Sequence, residues 1–531
     1  MEQQPQGRST LTILAVAGLA LLGYYFFFNK PAAHPGAHGH GPGQSQHERP
    51  DRSTHAATAT IETPEMTVTT STLNASVAHV YLKGARFHDK NGHRIDLVTT
   101  SREEYYPLRF ELGGVRIPDD AVWDVEQPSP REVRYTWHGD GFSVTRKIEA
   151  GRGPYELWST LTVRNDDAET RPVRVNMLTA HYVHAADEKS GFLGFGSRSP
   201  AITRGVCRSE GKTHRYDKKD LLSGQTYHRV TLAGVESSYF ANVMAIDGAE
   251  AEFCTLRTSP RGGTVDSPEG TLYEIRMAYA RHQLARGQST TTRTLAYLGP
   301  KDGAALSRAG HELGSVLDLG YFSFIARGMV RLLSAIHSVV GNWGLAIVLM
   351  TVLVKIVLFP LTLAQLRSMA KMRALKPELD KINKMYGDDR EKRGAATMEL
   401  YRKFGINPVA GCLPAVAQLP VWWALYTSLS TNIALYHEPF GGWLQDLSSP
   451  DPFYVMPLLL GVLMWVQQRL TPTTVDPQQA KIMQWLMPIM ITMFMLFLPQ
   501  GLTVYMLTNS ALSILQQQFT EWRIRASLAR A

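Results

Sequence analysis

One positive charge lies inside the apolar segments of the C-terminal half of this sequence. Lys355 interrupts the apolar run 344–359 and is the only charged side chain inside the predicted membrane spans, away from their ends. A lysine at the centre of a membrane helix costs roughly 2.5–3.5 kcal/mol on insertion scales and therefore indicates a functional site. Because Lys355 precedes Pro360 by five residues, snorkelling of its ammonium to the membrane surface is the alternative interpretation.

Polar residues near Lys355 favour a hydrated groove over a single tolerated charge. Thr351, Lys355 and Thr362 are spaced i, i+4 and i+11, which predicts one polar stripe on a helix. Gln418 adds polarity in the next predicted span. The predicted spans contain no Asp or Glu that could pair with Lys355, so we expect its counter-ion to come from outside the chain.

The sequence contains little evidence for a catalytic site. The segment 205–213 resembles a phosphate-binding loop, but it has five residues between its glycines where four are needed. The motifs H-E-x-x-H, C-x-x-C and G-x-S-x-G do not occur, and His181 and His184 would face opposite sides of a strand. We therefore expect no enzyme activity, no cofactor and no metal site.

The N-terminal part predicts a membrane anchor and a linker. Lys and Arg number 55 against 47 Asp and Glu, and the net charge of +8 does not indicate a nucleic-acid partner. Residues 1–30 contain an apolar run after Arg8, and because no A-x-A cleavage site follows, an uncleaved signal anchor is favoured over a cleaved signal peptide. Residues 31–62 are rich in Pro, Gly, His and Ser, which predicts a disordered linker.

Residues 63–310 alternate between apolar and polar positions, which predicts a large antiparallel β-sandwich. A hairpin is expected where alternating residues flank the turn 138–141. Cys207 and Cys254 lie in this domain. A disulfide between them is open if the domain is exported, although nothing in the sequence shows that they meet.

The C-terminal part predicts a membrane core, which makes the fold class an α-helical polytopic membrane protein with a large extracytoplasmic all-β sandwich. Residues 317–340 predict an interfacial amphipathic helix. Residues 341–363 predict transmembrane helix 2 and residues 408–520 predict transmembrane helices 3–6, so that the anchor completes six spans. The segment 364–405 has helical spacing and predicts a helical hairpin.

The distribution of Lys and Arg predicts the orientation. The segment 364–405 and the short tail 521–531 are basic, whereas the loop 431–452 contains no Lys or Arg. Because basic loops stay in the cytoplasm, both termini are predicted to be cytoplasmic and the β domain to lie outside the membrane. In a Gram-negative cell, this places the chain in the cell inner membrane and the β domain in the periplasm. Whether the hairpin only obeys this rule or also docks a nascent chain stays open.

Several motifs resemble the YidC insertase family in its long Gram-negative form. They follow the family order over 317–519 and comprise Leu319 to Phe322, His337 to Gly344, Lys355 to Thr362, Ser368 to Met372, Leu400 to Lys403, Asn407-Pro408 with Gly411 to Pro414, Gln418 to Pro420, Pro472 to Thr474, and Gln516 to Gln518. The resemblance implies a five-helix membrane core with a groove open to the cytoplasm and the lipid. It also implies insertion of nascent membrane proteins without nucleotide hydrolysis.

The resemblance further implies which residues contact a substrate. By carry-over, Thr351, Leu419, Pro420 and Tyr505 are expected to line the groove with Lys355, which stands where the family usually has Arg. Lysine keeps the charge but not the planar fork that binds carboxylates bidentately. The expected partners are nascent membrane proteins and the lipid bilayer. Partnership with the Sec translocon, and with the ribosome through the hairpin, is left open.

Two other functions compete with insertion. A small-solute transporter would show duplicated halves around a broken-helix site, and we see no internal repeat in the sequence. A membrane-anchored carbohydrate enzyme would need paired carboxylates in one cleft of the β domain, which sequence alone cannot locate.

Overall fold

The computed structural model of the protein describes residues 56–88, 92–100, 102–118, 121–184, 203–261, 270–320, 322–364, 375–387, 389–404, 408–470 and 477–528. The predicted signal anchor, the linker as far as residue 55, part of the predicted hairpin and the end of the tail lie outside these residues. The described chain forms a β domain followed by a helical region.

The β domain is built from strands that we number in chain order. They are β1 (Thr58–Glu62), β2 (Met66–Ser71), β3 (Ser76–Leu82), β4 (Arg109–Gly113), β5 (Asp124–Ser129), β6 (Glu132–Gly139), β7 (Phe142–Ala150), β8 (Glu156–Asn165), β9 (Arg171–His184), β10 (Arg204–Ser209), β11 (Lys212–Tyr216), β12 (Gln225–Glu236), β13 (Phe240–Ile246), β14 (Ala251–Arg261), β15 (Gly270–Leu284) and β16 (Ser289–Pro300).

These strands form two antiparallel sheets around one core. β1, β2 and β3 make a small sheet, and the large sheet has the order β4-β9-β15-β14-β12-β13-β16-β8-β7-β6-β5, with β10 and β11 added at β12. Along β7, alternate residues such as Val144 and Ile148 are fully buried, as the period of two predicts. Ile61 and Val68 of the small sheet join them in the same apolar cluster. The domain is therefore a β-sandwich.

The predicted hairpin is present, whereas the start of the domain differs from the prediction. β6 pairs with β7 up to Gly139 and Phe142, and the two turn residues Asp140 and Gly141 both have positive φ, as a tight primed turn requires. The first strand begins at Thr58, inside the predicted linker. Its sequence is mostly Thr and Ala, so its apolar signal is weak even though Ile61 is buried.

The helical region follows the last strand. Its helices are α1 (Gly303–Ala309), α2 (Ser323–Val340), α3 (Trp343–Val357), α4 (Lys376–Tyr386), α5 (Arg390–Lys403), α6 (Pro408–Ser430), α7 (Val455–Leu470), α8 (Pro477–Met495) and α9 (Gln500–Leu528). Residues 359–364 are also helical. α4 and α5 pack on each other through Leu375, Leu379 and Tyr401, as expected of the two arms of the predicted hairpin.

Membrane-spanning length is marginal in several of these helices. Among the described residues, α2 is the one helix both long and apolar enough to cross a membrane, and Trp343–Val357, Val455–Leu470 and Gln484–Met495 are shorter apolar helices. The sequence predicted α2 to lie on the membrane surface. The number of spans therefore stays a prediction.

The β domain contacts the loop between α6 and α7. The Tyr436 ring of this loop lies 5.0 Å from the Tyr239 ring and 5.3 Å from the Phe240 ring, measured between centroids. His437 Nδ1 lies 3.1 Å from the carbonyl oxygen of Arg86. Burial, with a smaller contribution from Asp446, raises the pKa of Tyr436 to about 12, so its hydroxyl stays protonated at neutral pH.

Candidate functional site

A groove opens between α3 and α9 in the helical region. Its volume is about 270 Å³, and it is lined by Val352, Lys355, Ile356, Phe359, Leu512 and Gln516. The two helices are held together by a shared apolar cluster that includes Met350 of α3 and Val504 of α9. The groove is therefore mostly apolar, with one cationic side chain and one amide side chain in its wall.

Lys355 is held in this wall by a neutral partner. Its Nζ donates a hydrogen bond to Ser513 Oγ at 2.7 Å, and Ser513 Oγ donates to the carbonyl oxygen of Asn509 at 2.8 Å. In the part of the chain that the structure describes, no carboxylate forms an ion pair with Lys355. An ammonium carries three donors, so two N–H bonds of Lys355 remain for water or an incoming anion.

The two threonines of the predicted polar stripe are hydrogen-bonded to the backbone of their own helical segments. α3 ends at Val357, Leu358 is a turn residue, and Thr362 lies on the helical segment that follows. Thr351 is only 1% exposed, and its hydroxyl donates to the carbonyl oxygen of Ile347 at 2.7 Å. The hydroxyl of Thr362 likewise donates to the carbonyl oxygen of Leu358 at 3.1 Å. Both threonine hydroxyls are thus used within their own helices.

The other predicted groove residues occupy different surroundings. Tyr505 is only 3% exposed and packs in the apolar cluster beneath the groove. Leu419 on α6 is 57% exposed, and the neighbouring Pro420 is half-buried. Gln418 lies on α6, and its side chain is outside the described part of the structure. Of the predicted residues, the structure places Lys355 alone in the wall of the 270 Å³ groove.

The structure adds residues that the sequence analysis missed. Ser513 holds Lys355, and Gln516 lines the groove with a buried side-chain oxygen that has no hydrogen-bond partner among the described residues. A signal for Ser513 was present, because Asn509, Ser513, Gln517 and Thr520 recur at helical spacing along the last apolar run. The recurrence places a polar stripe on α9.

The loop 431–452 closes one end of this helix cluster. Leu435, Leu444 and Leu447 of the loop are buried in the same apolar cluster as Tyr505. The backbone N–H of Gly501 donates to the carbonyl oxygen of Leu447 at 2.9 Å. The loop therefore seals the ends of α3 and α9 that lie away from Lys355.

The start of α3 is fixed against the same loop. The Asn342 side chain accepts a hydrogen bond from the N–H of Leu345 at 2.9 Å, which caps the helix, and donates to the carbonyl oxygen of Phe440 at 3.0 Å. A Cβ atom at Gly344 would lie only 2.1 Å from the Phe440 ring. A glycine is therefore needed for the close approach of loop and helix.

Two family models match most of the chain. Residues 58–332 match the YidC periplasmic domain, and residues 335–527 match the 60Kd inner membrane protein. The chain belongs to the YidC family. The resemblance predicted from the motifs is confirmed, and the β domain corresponds to the periplasmic domain of the family.

Relatives with the name membrane protein insertase YidC match along nearly the whole chain. The protein of Anaeromyxobacter sp. (strain Fw109-5) is 36% identical over 483 residues, which cover 86% of this chain and 83% of the relative. The protein of Geobacter sulfurreducens is 32% identical over 485 residues, which cover 88% of this chain and 87% of the relative. This YidC family member therefore spans most of the length of these relatives.

Solved structures give weaker matches. A crystal structure of an active YidC insertase with its first transmembrane domain resolved is 18% identical and covers 96% of this chain and 99% of its own, with a TM-score of 0.38. A galactose mutarotase-like protein from Lactobacillus casei is 13% identical and covers 46% of this chain and 100% of its own, with a TM-score of 0.33.

Proposed function

We propose that this chain inserts membrane proteins into the inner membrane, with the groove between α3 and α9 as the site where a substrate enters. The observation that carries the proposal is Lys355. It is the one cation in a mostly apolar wall, and its hydrogen-bond partner there is the neutral hydroxyl of Ser513. Membrane proteins retain such a charge where it serves a substrate or ion pathway.

The charge attracts the polar outer segment of a substrate. Two unit charges 4 Å apart attract by about 4 kcal/mol at an effective dielectric constant of 20, and by about 1 kcal/mol in bulk water. An acidic segment that enters the groove therefore gains several-fold more from Lys355 than it would in solution. The groove also shortens the apolar distance that the polar segment must cross.

Burial of the substrate helix in lipid supplies the driving force. Each Å² of apolar surface removed from water contributes roughly 25 cal/mol, so a hydrophobic helix gains free energy when it moves from water into lipid. Exposed methionines on α8 (Met487, Met490 and Met493) offer a pliable surface along which different helices slide. We propose that the exposed Leu419 and the neighbouring Pro420 flank this route, that Thr351 and Tyr505 support it from beneath, and that no nucleotide is consumed.

The orientation that we propose places both termini in the cytoplasm, with six spans. The basic segment 364–405 would then be cytoplasmic, and the loop 431–452, which lacks Lys and Arg, would be periplasmic. The contact of Tyr436 with Tyr239 and Phe240 supports this topology, because it puts the loop on the same side as the β domain. The groove then opens towards the cytoplasm, since the loop seals the opposite end.

The helical hairpin is our candidate for the first contact with a nascent chain. Met385, Met398 and Phe404 are exposed apolar residues on this basic segment. Such a surface fits a substrate that carries both apolar and acidic residues. Contacts with the Sec translocon or the ribosome stay predictions of the family resemblance.

Purified protein in ATP-free liposomes tests the proposal. Insertion of a single-span substrate with an acidic outer segment is followed by protease protection. We expect wild type to protect the substrate and Lys355→Ala to protect it less, while Lys355→Arg keeps the charge and serves as the matched control. Protection no better than in empty liposomes would contradict unassisted insertion, and solute counterflow by the same vesicles would favour the transporter.

A further inference from the structure

The β domain contains two buried cysteines on strands that share no ladder. Cys207 lies on β10 and Cys254 on β14, and both thiols are fully buried and free. β10 and β14 are each paired to β12, which bends at Arg229, where φ is +54°. The first part of β12 pairs with β14 and the second part with β10. The bend lets β14 pack against β10.

Two observations bring the cysteines together. A Cβ atom at Gly205 would lie 3.1 Å from Leu256 Cδ2, so Gly205 and Leu256 face each other. Cys207 and Cys254 each lie two residues from this contact, and both belong to the same buried apolar cluster. Independently, the Cys207 side chain lies close enough to Cys254 to contribute to the raised pKa of the Cys254 thiol.

The surroundings seal this pair from solvent. The Tyr227 ring, from the first part of β12, stacks on His214 at a centroid distance of 4.3 Å and is hydrogen-bonded to Tyr216. Burial raises the pKa of the Cys254 thiol, with the neighbouring Cys207 as a further cause, so thiolate is scarce in the folded domain. Because both cysteines are fully buried, a thiol-oxidising protein reaches them before the strands close.

We propose that Cys207 and Cys254 form an intramolecular disulfide in the exported β domain. The proposal rests on the periplasmic placement of this domain, because disulfides persist in that compartment. One cysteine thiolate attacks the disulfide of a thiol-oxidising protein, and the second cysteine then displaces that protein from the mixed disulfide. The S–S bond forms, the two thiols lose two electrons and two protons, and the oxidant leaves as a dithiol.

The bond would tie β10 to β14 across the intervening residues 208–253. This segment contains β11, β12 and β13, so the bond restricts three strands in the unfolded chain. The bond lowers the conformational entropy of the unfolded chain, which stabilises the folded domain relative to it. We therefore expect the Cys207→Ser/Cys254→Ser double variant to melt at a temperature on the order of 10 °C lower than wild type. The bond should also resist reductant until the domain unfolds.

Thiol counting on the full-length protein tests the proposal. The chain has three cysteines, and Cys412 is the remaining one. Protein from membranes is denatured, treated with a maleimide and weighed by mass spectrometry. We expect one label without reductant and three labels after reduction in denaturant. Protein treated with reductant while folded should still take one label, whereas three labels without any reductant would overturn the proposal.

Variants keep this test independent of folding and of insertion. Cys412→Ser should take no label before reduction and two after it. Cys207→Ser should take two labels without reductant, because Cys254 has then lost its partner. A dimer on a non-reducing gel would show pairing between chains and would also overturn the proposal. The label count does not depend on insertase activity, so the two proposals fail separately.

Discussion

Gly344→Ala tests how α3 is fixed against the loop 431–452. The added Cβ would lie 2.1 Å from Phe440 Cδ2 and 2.3 Å from Phe440 Cγ. Ordinary carbon contacts are about 3.5–4.0 Å, so the ring must move by more than about 1 Å. The backbone of Phe440 restricts this movement, because its N–H donates to the carbonyl oxygen of Leu444 at 2.9 Å and its carbonyl oxygen accepts from Asn342 at 3.0 Å.

The expected free-energy change combines two effects of opposite sign. Overpacking of this kind costs about 1–3 kcal/mol. Alanine in place of glycine in a helix recovers about 0.5–1 kcal/mol. We therefore expect Gly344→Ala to lower the free energy of unfolding by up to about 2.5 kcal/mol, the largest difference between these two terms.

A second substitution separates the two effects. Phe440→Ala removes the ring, so Gly344→Ala in that background should be neutral or should stabilise by about 0.5–1 kcal/mol. The four proteins form a double-mutant cycle, measured by detergent-titration unfolding followed by circular dichroism. If Gly344→Ala has the same effect with and without the Phe440 ring, the close approach of helix and loop is not what requires glycine.

Two further predictions concern the β domain. Arg146 is fully buried and donates to the carbonyl oxygens of Ala75, at 2.5 Å, and Leu108. Arg146→Ala should therefore lower the free energy of unfolding, measured by thermal unfolding, by about 3–5 kcal/mol, and Arg146→Lys should lower it by less. A change below about 1 kcal/mol for Arg146→Ala would contradict this role. Burial lowers the pKa of His181, whose Nδ1 lies 3.2 Å from Thr99 Oγ1, from 6.5 to about 4. The unfolded chain then binds the proton more tightly than the folded chain, so the unfolding free energy should fall from pH 6.5 towards pH 4, by up to about 1.4 kcal/mol per pH unit. His181→Asn should reduce this slope in urea titrations at each pH, and an unchanged slope would refute it.

The periodic elements were predictable from sequence because their signals are local. The hairpin of β6 and β7 follows from alternating apolar residues around a turn, and the helical hairpin of α4 and α5 follows from helical spacing. β1 was missed, because a short strand of Thr and Ala differs little in composition from a polar linker. Its burial depends on pairing with β2, which is not a local property.

The candidate site was predictable only in part. Lys355 was identified because a charge in an apolar run is conspicuous in one segment alone. Its partner Ser513 lies 158 residues further along the chain, and no local pattern connects the two. Helical spacing correctly relates Thr351 to Lys355, but it does not show that the Thr351 side chain is buried in the core.

A charge exchange between groove and substrate tests the central claim most directly. Insertion into ATP-free liposomes is measured for two substrates that differ only in an acidic or a basic outer segment, with wild type and with Lys355→Glu. If Lys355 attracts the segment, wild type should insert the acidic substrate faster, and Lys355→Glu should insert the basic substrate faster. The ratio of the insertion rates of the acidic and basic substrates should then differ between the two proteins by about tenfold or more, equivalent to about 1.4 kcal/mol. The same ratio with both proteins would show that the groove charge does not select the substrate.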